Sequence, residues 1–290
     1  MLSHLRFAGL SLLLCSGLLS PAEASKPLAP ATPWQSEWTP TTCRLARGFG
    51  DPKAPDLLLI ERFGPSDRFQ LVVLSPQVRS YKQGTPLQLR FGAGPLTRVA
   101  NAIPGNPKAV SSIFISSTSL APRDPNPSSD DERRVARVTP ELEAAVTSVE
   151  LKWPNRSLVF QTGPLDKAFA ALRACTDDLV KTWGLDPVQQ AALSRRPMPR
   201  TPPRGWLTPL DYPAGMLSAG KQAMVNFRLM VDEEGKPTAC DVQRSYNDKL
   251  FDQVACSTLM RRARFEPALD AQGAPVPSYY LNTITWIMEP

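Results

Sequence analysis

The chain holds one histidine in 290 residues, His4, and it lies in the first two dozen residues. Once that segment is removed, no imidazole is left for general-base work or metal binding. Ser–His and Cys–His nucleophiles are excluded with it. Cysteine is scarce too. Cys15, Cys43, Cys175, Cys240 and Cys256 show no CxxC spacing, so a zinc site lacks its spacing as well as its histidines. Long apolar runs are missing beyond Phe7–Leu19, which falls short of the roughly twenty residues a spanning helix needs. The net charge is +6, yet no basic stripe interleaved with aromatics occurs, and the densest cluster is Arg261-Arg262-Ala263-Arg264. Nucleic-acid binding is therefore not expected. No motif nominates a Ser–Lys or paired-carboxylate enzyme. The reading turns to binding, with no catalytic residue, metal ligand or cofactor expected.

What is present begins with targeting. Met1 to Arg6 forms a short n-region, Phe7 to Leu19 an h-region, and Ala22-Glu23-Ala24 an A-x-A cleavage site. A signal peptide over residues 1–24 and a mature start at Ser25 are expected, with no spanning segment after cleavage. Leu14, a large residue, stands where a lipobox before Cys15 would need a small one. The four cysteines that remain suit an oxidising compartment and allow three connectivities. Cys43–Cys175 with Cys240–Cys256 is favoured, because each pair then lies inside one domain.

Residues 25–33 are polar and proline-rich and read as an extended leader with no core to bury. A β-rich α+β domain is expected over residues 34–187. Leu57–Arg62 and Phe69–Leu74 flank Gly64-Pro65-Ser66-Asp67 as a hairpin. Leu87–Phe91, Val110–Ile115 and Val149–Trp153 read as strands. Thr139 is placed to cap a short helix from Pro140 to Ala145. Leu120 to Glu132, rich in Pro, Ser and Asp, reads as a surface loop. Gly163-Pro164 opens a longer helix carrying Leu165, Phe169, Leu172, Cys175, Leu179 and Trp183, and Gly184 stops it. Residues 188–209 form a Pro/Arg-rich linker, which proline holds extended as a semi-rigid spacer.

The last segment, residues 210–290, reads as one folding unit. Val225, Phe227, Leu229 and Val231 share one face of a strand, with Asn226 and Arg228 on the other. Asp232-Glu233-Glu234-Gly235-Lys236 turns into a second strand, Thr238 to Ser245. Asn247 or Asp248 caps a helix whose apolar side carries Leu250, Phe251, Val254, Ala255 and Leu259. A final strand runs from about Val276 to Met288.

Asp211-Tyr212-Pro213, Val231-Asp232-Glu233-Glu234-Gly235, Asp241-Val242-Gln243-Arg244-Ser245, Leu250-Phe251-Asp252 and Arg264-Phe265-Glu266-Pro267-Ala268 occur in that order. The ordered set, over roughly residues 204–290, resembles the C-terminal domain of TonB energy transducers. The resemblance implies a β-β-α-β unit, one helix on a three-stranded antiparallel sheet, so the fold class expected for the chain is α+β. It implies a periplasmic module that grips an extended peptide of an outer-membrane receptor by adding a strand to an open sheet edge. That edge would be the final strand, here Tyr279, Tyr280, Leu281, Asn282, Thr283, Ile284 and Thr285, with Tyr212 and Pro213 beside it. A standard transducer has an uncleaved membrane helix and a long spacer, where this chain has a cleavable segment and a globular domain. Three readings follow. One is a TonB-like binding module accessory to outer-membrane transport. Another is an envelope structural protein that binds another protein or cell-wall glycan. The third is a transducer whose N-terminal segment stays uncleaved.

Overall fold

The computed structural model describes residues 26–99, 102–105, 110–121, 138–246 and 248–287. The expected signal peptide, residues 122–132 of the expected surface loop, and Met288 lie outside the described residues. The protein is a mixed α+β structure, as the sequence predicts.

The first half begins with strands β1 (Gln35–Trp38), β2 (Cys43–Phe49), β3 (Asp56–Arg62), β4 (Phe69–Leu74) and β5 (Leu87–Phe91). Strands β6 (Thr97–Val99), β7 (Ala102–Pro104) and β8 (Ser112–Thr118) follow. Helix α1 (Pro140–Ala145), strands β9 (Val149–Trp153) and β10 (Arg156–Phe160), and helices α2 (Asp166–Thr182) and α3 (Pro187–Ala191) complete it. One sheet has the order β1-β2-β3-β4-β8-β7 and a second the order β10-β9-β5-β6. Their inner faces and α2 share one core, in which Phe49, Phe160 and Phe169 are fully buried. Thr139 caps α1 by accepting from the Leu142 N–H, which satisfies a donor the helix itself leaves open. Cys43 at the start of β2 is bonded to Cys175 on α2, closing a separation of 132 residues. In the chain-entropy account a loop of that length contributes about 5 kcal/mol.

Two expectations here need correction. Residues 27–33 are not a free leader. Leu28 bridges to Phe160 and packs against the core, while Ala31 and Thr32 donate to the Gly48 carbonyl. Leu120 belongs to the core and not to a surface loop, being 5 % exposed. Its apolar side chain found a packing site that the surrounding Pro and Ser concealed.

The second half comprises β11 (Met198–Pro199), α4 (Ala214–Ser218), β12 (Ala223–Val231), β13 (Pro237–Tyr246) and α5 (Lys249–Arg262). Short strands β14 (Phe265–Glu266), β15 (Ala268–Leu269) and β16 (Pro275–Val276) lead to the last strand, β17 (Ser278–Trp286). The main sheet has the order β13-β12-β17, antiparallel throughout. Asp248 is the residue that caps α5, accepting from Leu250 N–H. The helix lays Phe251, Ala255 and Leu259 on the sheet, whereas Leu250, assigned to that face, is 38 % exposed. Cys240 on β13 is bonded to Cys256 on α5. The turn after β12 requires glycine at 235. Its φ is +81°, and an added Cβ would lie 2.0 Å from the Phe265 carbonyl oxygen.

The proline-rich segment expected as a spacer is extended but docked. β11 pairs with β14. Arg195 donates to the Pro267 carbonyl and Arg200 to the Phe265 carbonyl. Trp206, 2 % exposed, sits in the core between Phe265 and Tyr280. Proline sets the extended shape, and these arginines supply the donors that proline lacks.

Candidate protein-binding edge

β17 ends the three-stranded sheet, with β12 on one side and no strand among the described residues on the other. Such an edge carries a row of backbone donors and acceptors able to pair with an incoming chain. Its first residues are covered: Gln190 on α3 donates to the Pro277 carbonyl at 3.0 Å and accepts from the Ser278 hydroxyl at 2.6 Å. From Leu281 to Thr285 the residues are half-buried or exposed. Within that window the Thr283 N–H donates sideways to the Asn282 side-chain oxygen at 2.8 Å, so it faces away from β12. By the two-residue period, the N–H groups of Leu281 and Thr285 point to the same free side. The Asn282 amide also donates to the Tyr280 hydroxyl at 2.8 Å.

Alternation along this strand requires about half of its side chains to face a core. Both faces are in fact covered. On the helix side, Tyr280 packs against Trp206 and Phe265, and burial pushes its hydroxyl up to about 12. Trp286 packs with Phe251, while Ile284 lies half-buried beside it. On the opposite side the first domain lies against the sheet. Tyr279 meets Trp183 edge to face at 4.9 Å, and Arg228 stacks on the same indole at 4.4 Å while pairing with Asp241. Asn226, on the face opposite Val225 and Phe227, is 2 % exposed. Tyr212 stacks on Trp286 and Phe251 and donates its hydroxyl to the Lys221 carbonyl, and Pro213 is buried beside it. Tyr212 and Pro213 therefore sit at the far end of β17, as a buttress for the strand.

A buried polar network joins the two halves, and sequence reasoning missed it. Glu61 on β3 accepts from Arg44 at 2.7 Å, from Gln70 at 2.7 Å and from the Tyr246 hydroxyl at 2.9 Å. The same Gln70 amide donates to Tyr246 at 2.8 Å, and its oxygen accepts from Asn226 at 3.3 Å. Asn226 in turn accepts from the Thr283 hydroxyl at 2.6 Å. Burial, followed by the Glu61 charge, pushes the Tyr246 hydroxyl far up. The only sequence signal is an alternating strand, β12, with Asn226 and Arg228 on the face opposite its apolar one.

An open-edged antiparallel sheet with one helix on one face defines a class, small modules whose last strand is available for pairing. Residues 208–288 match the family model described as Gram-negative bacterial TonB protein C-terminal. The resemblance read from the sequence is thus shown for the C-terminal unit, and the match does not extend to β1–β10 or to α1–α3. No curated protein matches the chain. Among the described residues no helix is long and apolar enough to cross a membrane.

Proposed function

We propose that this protein is an exported periplasmic binding module, accessory to TonB-dependent outer-membrane transport, that receives an extended receptor peptide along β17. The observation carrying this reading is the side of Leu281–Thr285 that no strand covers among the described residues, where the Thr283 N–H is met by its neighbour's side chain. An incoming strand would displace the Asn282 oxygen and take that donor, so backbone hydrogen bonds supply affinity independently of most side chains. Tyr279 is buried, and Tyr280 is half-buried against Trp206 with its backbone turned to β12, so both hold the strand rather than meet the peptide. The family match supports a protein partner in the Gram-negative envelope. Cleavage at Ser25 and the two domains proposed from the sequence, 34–187 and 210–290 with 188–209 between, complete this reading.

The test is Thr283→Pro. Proline removes the outward backbone donor and leaves the backbone ladder to β12, but it also deletes the Thr283 hydroxyl that bonds Asn226 on β12, a loss that Thr283→Val reproduces with the backbone donor intact. With a melting curve matching that of Thr283→Val, the proline variant should bind synthetic receptor peptides about tenfold or more weakly than Thr283→Val in fluorescence anisotropy. Undiminished binding by a folded variant would reject strand pairing at β17.

A further inference from the structure

Beside the free edge lies a cleft of about 120 Å³ between the β3–β4 turn of the first domain and Leu281, Asn282 and Thr283. Any strand paired to β17 sends every second side chain to the face that Leu281 and Thr283 occupy, hence towards this turn. The cleft is therefore where the first domain would meet the docked peptide.

Its described lining holds two arginines, Arg62 and Arg68, and one carboxylate, Glu61. Arg62 lines it, is 3 % exposed, and has a buried Nε with no hydrogen-bond partner among the described residues. The Arg62 guanidinium rests on Phe169, 4.9 Å from the ring centroid. Burial lowers it to about 10, and Asp67 and Glu143 offset only part of that cost. Arg68, at the cleft's outer side, reaches the Ser117 carbonyl at 3.1 Å. Among the described residues of the lining Glu61 is the one carboxylate, and it is already held by Arg44, Gln70 and Tyr246. A buried cation with one N–H left unpaired is costly, and a carboxylate is the group that relieves it.

We propose that this cleft takes an acidic side chain of the strand docked on β17, with Arg62 and Arg68 as its counter-charges. The first domain is then half of a composite site: β17 pairs with the peptide backbone and the β3–β4 turn selects its side chain. This inference rests on the strand-pairing reading above.

Phage-displayed random octapeptides panned on the mature chain test it. Peptides recovered on the parent should be enriched in Asp or Glu at one position. A synthetic peptide from that pool should bind about tenfold more weakly when its acid is changed to the amide. Arg62→Met keeps an apolar stem on Phe169, and Arg68→Gln alters an exposed residue. Either folded variant should still recover peptides but without the acidic preference, and should bind acid and amide peptides alike. An acidic preference that never arises, or survives in either variant, overturns the cleft assignment while leaving strand pairing intact. Full recovery of peptides by Thr283→Pro, or no enrichment on the parent, overturns strand pairing and this inference together.

Discussion

The Thr283 hydroxyl donates to Asn226 at 2.6 Å, and Asn226 passes the contact on to Gln70 in the first domain. The strand proposed to receive a partner is thereby tied, two hydrogen bonds away, to a domain that the family match does not cover. The outer face of a small sheet is usually free to be polar against water. Here it is polar against protein, and each buried group must find a defined partner. The chain of contacts continues through Gln70 and Tyr246 to Glu61, whose side chain is 1 % exposed and carries Arg44 and Arg244 as counter-charges.

Tyr246→Phe should measure what this junction contributes. The substitution keeps the ring against Phe114, 4.3 Å between centroids, and removes only the hydroxyl. It leaves Glu61 without one of its donors, and a hydrogen bond to a buried charge is worth about 2 kcal/mol. The urea midpoint should fall accordingly, with the m-value unchanged. A midpoint equal to the parent's would show that water replaces the hydroxyl at no cost.

Alkaline pH should weaken both this junction, through Tyr246, and the core under the helix, through Tyr280. Tyr246 and Tyr280 are both raised by burial above the ordinary tyrosine value, Tyr280 to about 12. A group with a raised folded pKa gives its full stability below the unfolded value of about 10 and loses it as pH climbs through the folded one. Urea midpoints should therefore be level to about pH 9 and decline by about pH 11. Tyr246→Phe should show a shallower decline than the parent. An equal slope would assign the alkaline loss to other groups.

Much of the C-terminal unit is legible because its determinants are local. Val225, Phe227, Leu229 and Val231 alternate, Gly235 marks a turn only glycine can make, and Asp248 caps its own helix. Cys240 and Cys256 lie 16 residues apart on adjoining elements. The docked segment is not legible, because proline-rich sequence has no periodicity and the core role of Trp206 depends on Phe265 and Tyr280. The covered face is not legible either. Asn226 and Gln70 are 156 positions apart, and alternation alone cannot distinguish a polar residue facing water from one facing another domain.

Asn282→Ala should strengthen peptide binding. The Asn282 side chain occupies the Thr283 N–H and holds the Tyr280 hydroxyl, so it covers the edge in the absence of a partner. Removing it spares an incoming strand the cost of displacing one hydrogen bond, worth severalfold and up to about tenfold in affinity. The bared edge should also promote self-association, visible by light scattering at high protein concentration. Weaker peptide binding would mean that Asn282 contacts the peptide rather than shielding the strand.

Gly64→Ala should push the first domain away from β17. An added Cβ would lie 2.6 Å from the Leu281 Cδ1 and 2.9 Å from the Trp183 Cη2. Leu281 ends in a methyl that can swing aside. Trp183 is held between Tyr279 and Arg228 and cannot. The turn must lift, at a cost of about 1–3 kcal/mol for overpacking. Leu281→Ala alone removes half-buried apolar surface and is also destabilising. Combined, the two changes should cost less than their sum, because the shortened residue 281 makes room for the new methyl, leaving only the contact with Trp183. A coupling of about 0.5–3 kcal/mol is the expected range for touching residues. Urea denaturation of the parent, both single variants and the double variant gives this value directly. Strict additivity would mean that the β3–β4 turn does not rest on the strand, and the composite site would lose its geometric basis.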